Sequence, residues 1–185
     1  MTKRSFSITL MAAIGSLVAI APQSFGETAS IVNTNQNPRT MLEEMRSVAS
    51  DSATEAEHLR MYAANSALSS DSHLSPLWAL KYDVNQMSKE ISALEAERDT
   101  LQPWEQQAVD KVVPLLKEAA TNTEGAIEFF NNNHNFLWSP QYRTYTENVK
   151  RDSDQIAKTL KNYLKYEKVQ QEEEQLRSTI TPGAN

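Results

Sequence analysis

Cysteine is absent from the 185 residues. That absence removes a thiolate metal site, c-type haem attachment, a lipoprotein anchor and a cysteine nucleophile. Glycine is almost as scarce. Between Glu27 and Pro182 only Gly125 occurs, so neither a phosphate-cradling glycine loop nor a strained nucleophile elbow can be assembled. Nucleotide enzymes and α/β hydrolases are set aside accordingly. Basic charge is also in deficit, with 18 Lys and Arg against 24 Asp and Glu and a formal net charge of −6. Nucleic-acid affinity rests mainly on cations neutralising phosphates, so no nucleic-acid partner is expected.

One long uncharged apolar run exists, from Phe6 to Ala21. It follows Lys3 and Arg4 and precedes the small residues Ser24 and Gly26, which is the layout of a secretory signal peptide over residues 1–26. Pro22 disfavours cleavage directly after Ala21, so Glu27 is the expected mature start. The run is shorter than the roughly 18 to 20 residues that span hydrocarbon, and no integral membrane segment is expected in the mature chain. Removing the two positive charges of Lys3 and Arg4, and no acid, takes the formal charge from −6 to −8. A periplasmic or extracellular location follows from this expectation. An exported chain without disulfides must be held by its own core, and a domain of about 150 residues buries roughly 68 to 70% of its unfolded surface.

Residues 27–37 are polar, rich in Asn and Thr, and read as a flexible leader. Pro38, Pro76, Pro103 and Pro140 then each head a long glycine-poor amphipathic stretch, where a missing N–H and a preset φ suit a first helical turn. Leu42, Met45, Ala49, Ser52, Ala56, Leu59, Ala63 and Ser66 recur at steps of three and four, a narrow stripe of small residues suited to close helix approach. The second stripe is Leu80, Val84, Met87, Ile91, Leu94 and Leu101; the third is Ala108, Val112, Leu115, Ala119, Ala126 and Phe130. Tyr142, Tyr145, Val149, Ile156, Leu160, Tyr163 and Leu164 form the fourth. These predict an all-α, single up-down-up-down antiparallel four-helix bundle over 38–177. Its helices fall at about 38–68, 76–101, 103–132 and 140–176, and a flexible tail follows from Ser178.

Three features inside those stripes stand out. Arg98 is expected to reach water at the bundle end with its stem over apolar surface. Pro114 predicts a kink that wraps the third helix around the core. Asp152 falls on the inward stripe of the fourth helix and needs a partner there. Ser52 lies at the same level of the first helix, which predicts a polar layer.

In this topology all three histidines gather at one pole with Tyr62, Trp78, Tyr82, Phe129, Phe130, Phe136, Trp138, Tyr142, Tyr145 and the Asn131–Asn135 cluster. An aromatic plug is the simplest outcome. The alternative is a small-molecule site between bundle helices, taking an apolar or aromatic ligand. Trp78 and Trp138 would form its walls, Tyr82, Phe130 and Tyr142 its apolar body, and Asn133 and His134 its polar contacts.

A cation is the third reading, since Asp51, Glu55 and His58 share one face of the first helix and contain a Glu-x-x-His step. Carboxylate di-iron bundles need a second such step and further inward glutamates, which the chain lacks. Asp71-Ser72-His73 assembles triad residue types only by adjacency, without an oxyanion hole. Lys158, Lys161, Lys165 and Lys168 form a basic stripe that reads as solvated surface. No cofactor is expected. The leading expectation is a non-enzymatic exported bundle acting through protein contacts, with a partner or as a homo-oligomer, as a scaffold, stress or envelope component.

Overall fold

A computed structural model describes residues 36–180. The expected signal peptide over 1–26, most of the 27–37 leader and the end of the tail lie outside these residues. Among the described residues the chain is all-helical, with four long helices and no strand: α1 Pro38–Ala63, α2 Leu74–Ala96, α3 Pro103–Asn132 and α4 Pro140–Ile180. Short 3-10 turns at Ser70–His73 and Arg98–Thr100 flank α2.

The prolines mark helix starts as local chemistry dictates. Pro38, Pro103 and Pro140 are each the first residue of their helix, where no N–H partner is needed. The Asn37 side chain accepts from the Arg39 N–H at 2.9 Å and caps α1. The Glu105 carboxylate accepts from the Gln102 N–H at 2.7 Å, closing the joint before α3. Pro76 stands differently: α2 begins at Leu74, two residues earlier, which still leaves the proline in the unpaired first turn.

Three helix ends depart from the pattern-based boundaries, one of them the end of α2, which stops at Ala96 rather than near 101 before the 3-10 turn Arg98–Thr100. α1 stops at Ala63, not near 68. There the Asn65 side chain accepts from the Ala67 N–H at 3.1 Å, an Asx-type turn that competes with further helix. Ser66 is therefore an exposed loop residue rather than part of the buried stripe. α4 continues through Ile180, so Ser178 to Ile180 are helical where a loose tail is expected.

Helix pairs meet in opposite chain order. Along α1 and α4, Arg39 reaches Glu167 and Ser52 reaches Ser153. Along α3 and α4, Asn122 bonds Asn148 and Gly125 abuts Tyr145. Tyr62 lies against His73 between α1 and the turn into α2, and Arg98 pairs with Asp110 across the α2–α3 joint at 2.8 Å. That last contact puts the Arg98 guanidinium in solvent with a partner.

The core is two apolar clusters separated by polar side chains. One is built on Met45, Ala49, Val84, Met87, Val112, Ile156 and Leu160. The other uses Ala56, Leu59, Leu80, Ala126, Phe130, Tyr142 and Val149. Ser52 of α1, Thr123 of α3 and Asp152 and Ser153 of α4, all buried, fall between them in sequence. The partner of Ser52 is Ser153, hydroxyl to hydroxyl at 3.0 Å, and not Asp152. Asp152 instead accepts through one oxygen from the neighbouring Arg151 guanidinium, while its other oxygen is buried without a partner. Leu116 rather than Leu115 is the buried leucine of α3, and Thr146 takes a core place on α4 that the pattern assigns to Tyr145.

Candidate functional site

Antiparallel neighbours bring the end of α1, the start of α2, the end of α3 and the start of α4 to one pole. A chain of rings runs through it. His58 stacks over Tyr62 at 6.3 Å, Tyr62 meets His73 edge-on at 5.7 Å, His73 meets Tyr142 at 5.5 Å, and Tyr142 lies 5.8 Å from Phe129. At its centre the Tyr142 hydroxyl and His73 Nδ1 hydrogen-bond at 3.3 Å. Both residues are buried. Burial disfavours their charged forms, holding the His73 pKa down and pushing the Tyr142 hydroxyl up.

The seven residues singled out for a ligand do not share one cavity. Tyr142 is in the core, and Phe130 is buried with the His134 ring edge-on at 4.7 Å. Trp78 is 60% exposed and carries the Lys81 ammonium 4.8 Å from its ring centre. With Leu74, Leu77, Ile127 and Phe130 it borders a cleft of only about 80 Å³. Tyr82 is more exposed still and lines none of the cavities at this pole. The Asn133 side chain donates to the Phe129 carbonyl at 3.1 Å at the end of α3. It borders a separate recess with Gln141 and Tyr145. His134 and Trp138 line a third cavity, of about 300 Å³, between the loop after α1 and the loop before α4.

This third cavity contains groups that helix periodicity does not reveal. Its walls include Asn65, Ser69, Ser70 and Asn135 from the two loops, and His73 reaches it from below. Loop residues have no period to read. The signal available in the sequence is the clustering of Asn, Ser and His on either side of two helix starts.

Asp51, Glu55 and His58 remain on one face of α1, with Glu55 and His58 3.4 Å apart. Among the described residues, no cluster of three or more His, Asp or Glu side chains is placed to hold a metal ion. The charge that Asp51 and Glu55 bear on is Asp83 of α2. Burial, reinforced by those two carboxylates, pushes the Asp83 pKa up to about 6. His73, from the Asp71-Ser72-His73 triplet, is committed to Tyr142. Among the described residues no helix is long and apolar enough to cross a membrane. No protein-family model matches the chain, and no curated protein or solved structure is similar to it.

Proposed function

We propose that this chain is an exported, up-down-up-down antiparallel four-helix bundle that works without catalysis, through protein contacts, as a scaffold, stress or envelope component. The observation that supports this reading is the length of α4. Arg39, at the start of α1, pairs with Glu167. Residues Lys168 to Ile180 therefore continue past the start of α1, a projection of roughly 20 Å at 1.5 Å per residue. Every one of them is exposed.

The projection is amphipathic. Tyr166, Val169, Glu173, Leu176 and Ile180 follow steps of three, four, three and four, the spacing of a coiled-coil seam with one polar position. Its apolar members are largely open to solvent, Leu176 at 61% and Ile180 at 78%. A helix of this length without tertiary contacts is marginal in water, so an occupant of the seam would stabilise it. A second copy of the chain is the occupant that fits. Two projections running antiparallel over the seam set Tyr166 against Ile180 and Val169 against Leu176, apolar on apolar, with Glu173 of each copy at the centre.

Sedimentation equilibrium tests this. The parent chain should show a concentration-dependent dimer, and Leu176→Glu with Ile180→Glu should be monomeric with its bundle melting transition retained. A parent that stays monomeric across the micromolar to millimolar range would overturn the reading.

A further inference from the structure

The pole opposite the α4 projection carries the third cavity, and its chemistry is distinct from the rest of the surface. No Lys, Arg, Asp or Glu lines it, although these types make up 23% of the chain. Its walls are amides, hydroxyls, imidazoles and one indole, together with the apolar side chains of Leu68 and Leu137. Trp138, half exposed, offers a flat aromatic face at the rim. The side chains of Ser69, Ser70, His134 and Asn135 make no hydrogen bond to another described residue. His73 is only 2% exposed, and its Nδ1 is held by Tyr142. That bond orients the ring, and its Nε2 has no partner among the described residues. Burial favours the neutral imidazole, which can donate or accept one hydrogen bond at Nε2.

We infer that this cavity binds a neutral polyhydroxylated ligand, of the chemical class of a mono- or disaccharide. Several physical points select that class. A phosphate or carboxylate would enter without a cation to meet it, and a cationic ligand without an anion. Metal binding would have two imidazoles and no carboxylate. A purely apolar ligand would leave the amides and hydroxyls of the wall unpaired, at a cost per group comparable to a lost hydrogen bond. A sugar ring has an apolar C–H face for the Trp138 indole and a rim of hydroxyls for alternating donors and acceptors. At about 300 Å³ the cavity is at the small end of ligand sites. It lies at the far pole from the α4 seam, so loss of the dimer and loss of sugar binding are separable results.

The test is saturation-transfer NMR on the full chain with glucose, N-acetylglucosamine, and their β-1,4-linked disaccharides at about 10 mM, followed by titration of whichever gives transfer. Millimolar or tighter binding by at least one of the four is expected. Trp138→Ala should weaken it by about tenfold or more. His73→Asn places an amide where Nδ1 stood, keeping a partner for Tyr142 while deleting Nε2; it should weaken binding with the thermal melt little changed. If His73→Asn fails to fold, Trp138→Ala alone decides, because that side chain is at the surface. No transfer from any of the four sugars would overturn the assignment, and so would binding that Trp138→Ala leaves intact. Glucose 6-phosphate binding more tightly than glucose would also overturn it, by showing that the site prefers an anion.

Discussion

Ser52 and Ser153 bond hydroxyl to hydroxyl at 3.0 Å in the fully buried seam between α1 and α4. The pair ties one residue of each helix to a particular level, between two apolar clusters that could otherwise slide past each other. Replacing either serine by alanine leaves the other hydroxyl to find a helix carbonyl, at a cost of about 1 kcal/mol. Ser52→Ala with Ser153→Ala should cost clearly less than the two singles combined, because neither hydroxyl is then orphaned. Urea unfolding of the four-member cycle measures this, and strict additivity would show that the hydrogen bond contributes nothing.

Gly125 permits a close approach of α3 to α4. A Cβ at this position would lie 2.6 Å from a ring carbon of Tyr145, so the ring would have to move. Alanine improves helix propensity by about 1 kcal/mol, while overpacking typically costs about 1 to 3 kcal/mol. Gly125→Ala should therefore lower the melting temperature despite lying mid-helix. In a Tyr145→Ala background the same change should be stabilising, which isolates the ring as the cause.

Asp83 is half-buried beside Asp51 and Glu55, with its pKa raised to about 6. The folded state thus takes up a proton more readily than the unfolded chain, so this group's contribution to stability grows as pH falls through about 6 and weakens above it. Asp152 and Glu90, also raised by burial, act in the same direction. His73, lowered by burial, opposes them once the unfolded imidazole begins to protonate. Asp83→Asn mimics the protonated carboxyl. It should stabilise by about 1 kcal/mol at pH 8, allowing for solvent screening, and the gain should shrink below about pH 6 and vanish only below the unfolded aspartate value of about 3.9. Thermal melts of both proteins across that range would show it, and a gain independent of pH would refute the charge explanation.

The α4 seam makes its own prediction about salt. Glu172, Glu173 and Glu174 of two antiparallel copies meet in solvent at the centre of the seam, and their repulsion is screened by salt, with a Debye length of about 10 Å at 0.1 M ionic strength. Dimer affinity should therefore rise several-fold between low and high salt. Truncation after Glu167 should abolish the dimer while the melting temperature of the bundle, measured at dilution where the parent is monomeric, changes little.

Much of the helical layout is legible in the chain because its causes are local. Proline at a first turn and apolar spacing at three and four act through a residue's own backbone and near neighbours. Leu42, Met45, Leu80, Met87, Val112, Ile156 and Leu160 are accordingly buried as their spacing predicts. Where α1 ends was not legible, because an Asn65 turn and a continuing helix are close in local energy. Neither was the choice of Ser153 over Asp152 beneath Ser52: adjacent residues on α4 differ by only about 100° of rotation, and how α4 is rotated depends on what packs on its other sides.

Sequence alone determined the number and approximate span of the helices, the two-sidedness of each, and the lack of thiol and glycine-loop chemistry, since these follow from composition and short-range periodicity. Only tertiary structure decided what the polar and aromatic residues at the helix ends do. Tyr142 went inside against His73, Trp78 and Trp138 stayed in solvent, and two loops without any period closed around an uncharged cavity. The physical reason is that a loop side chain's surroundings come from segments remote in the chain, brought together only when four helices share one core.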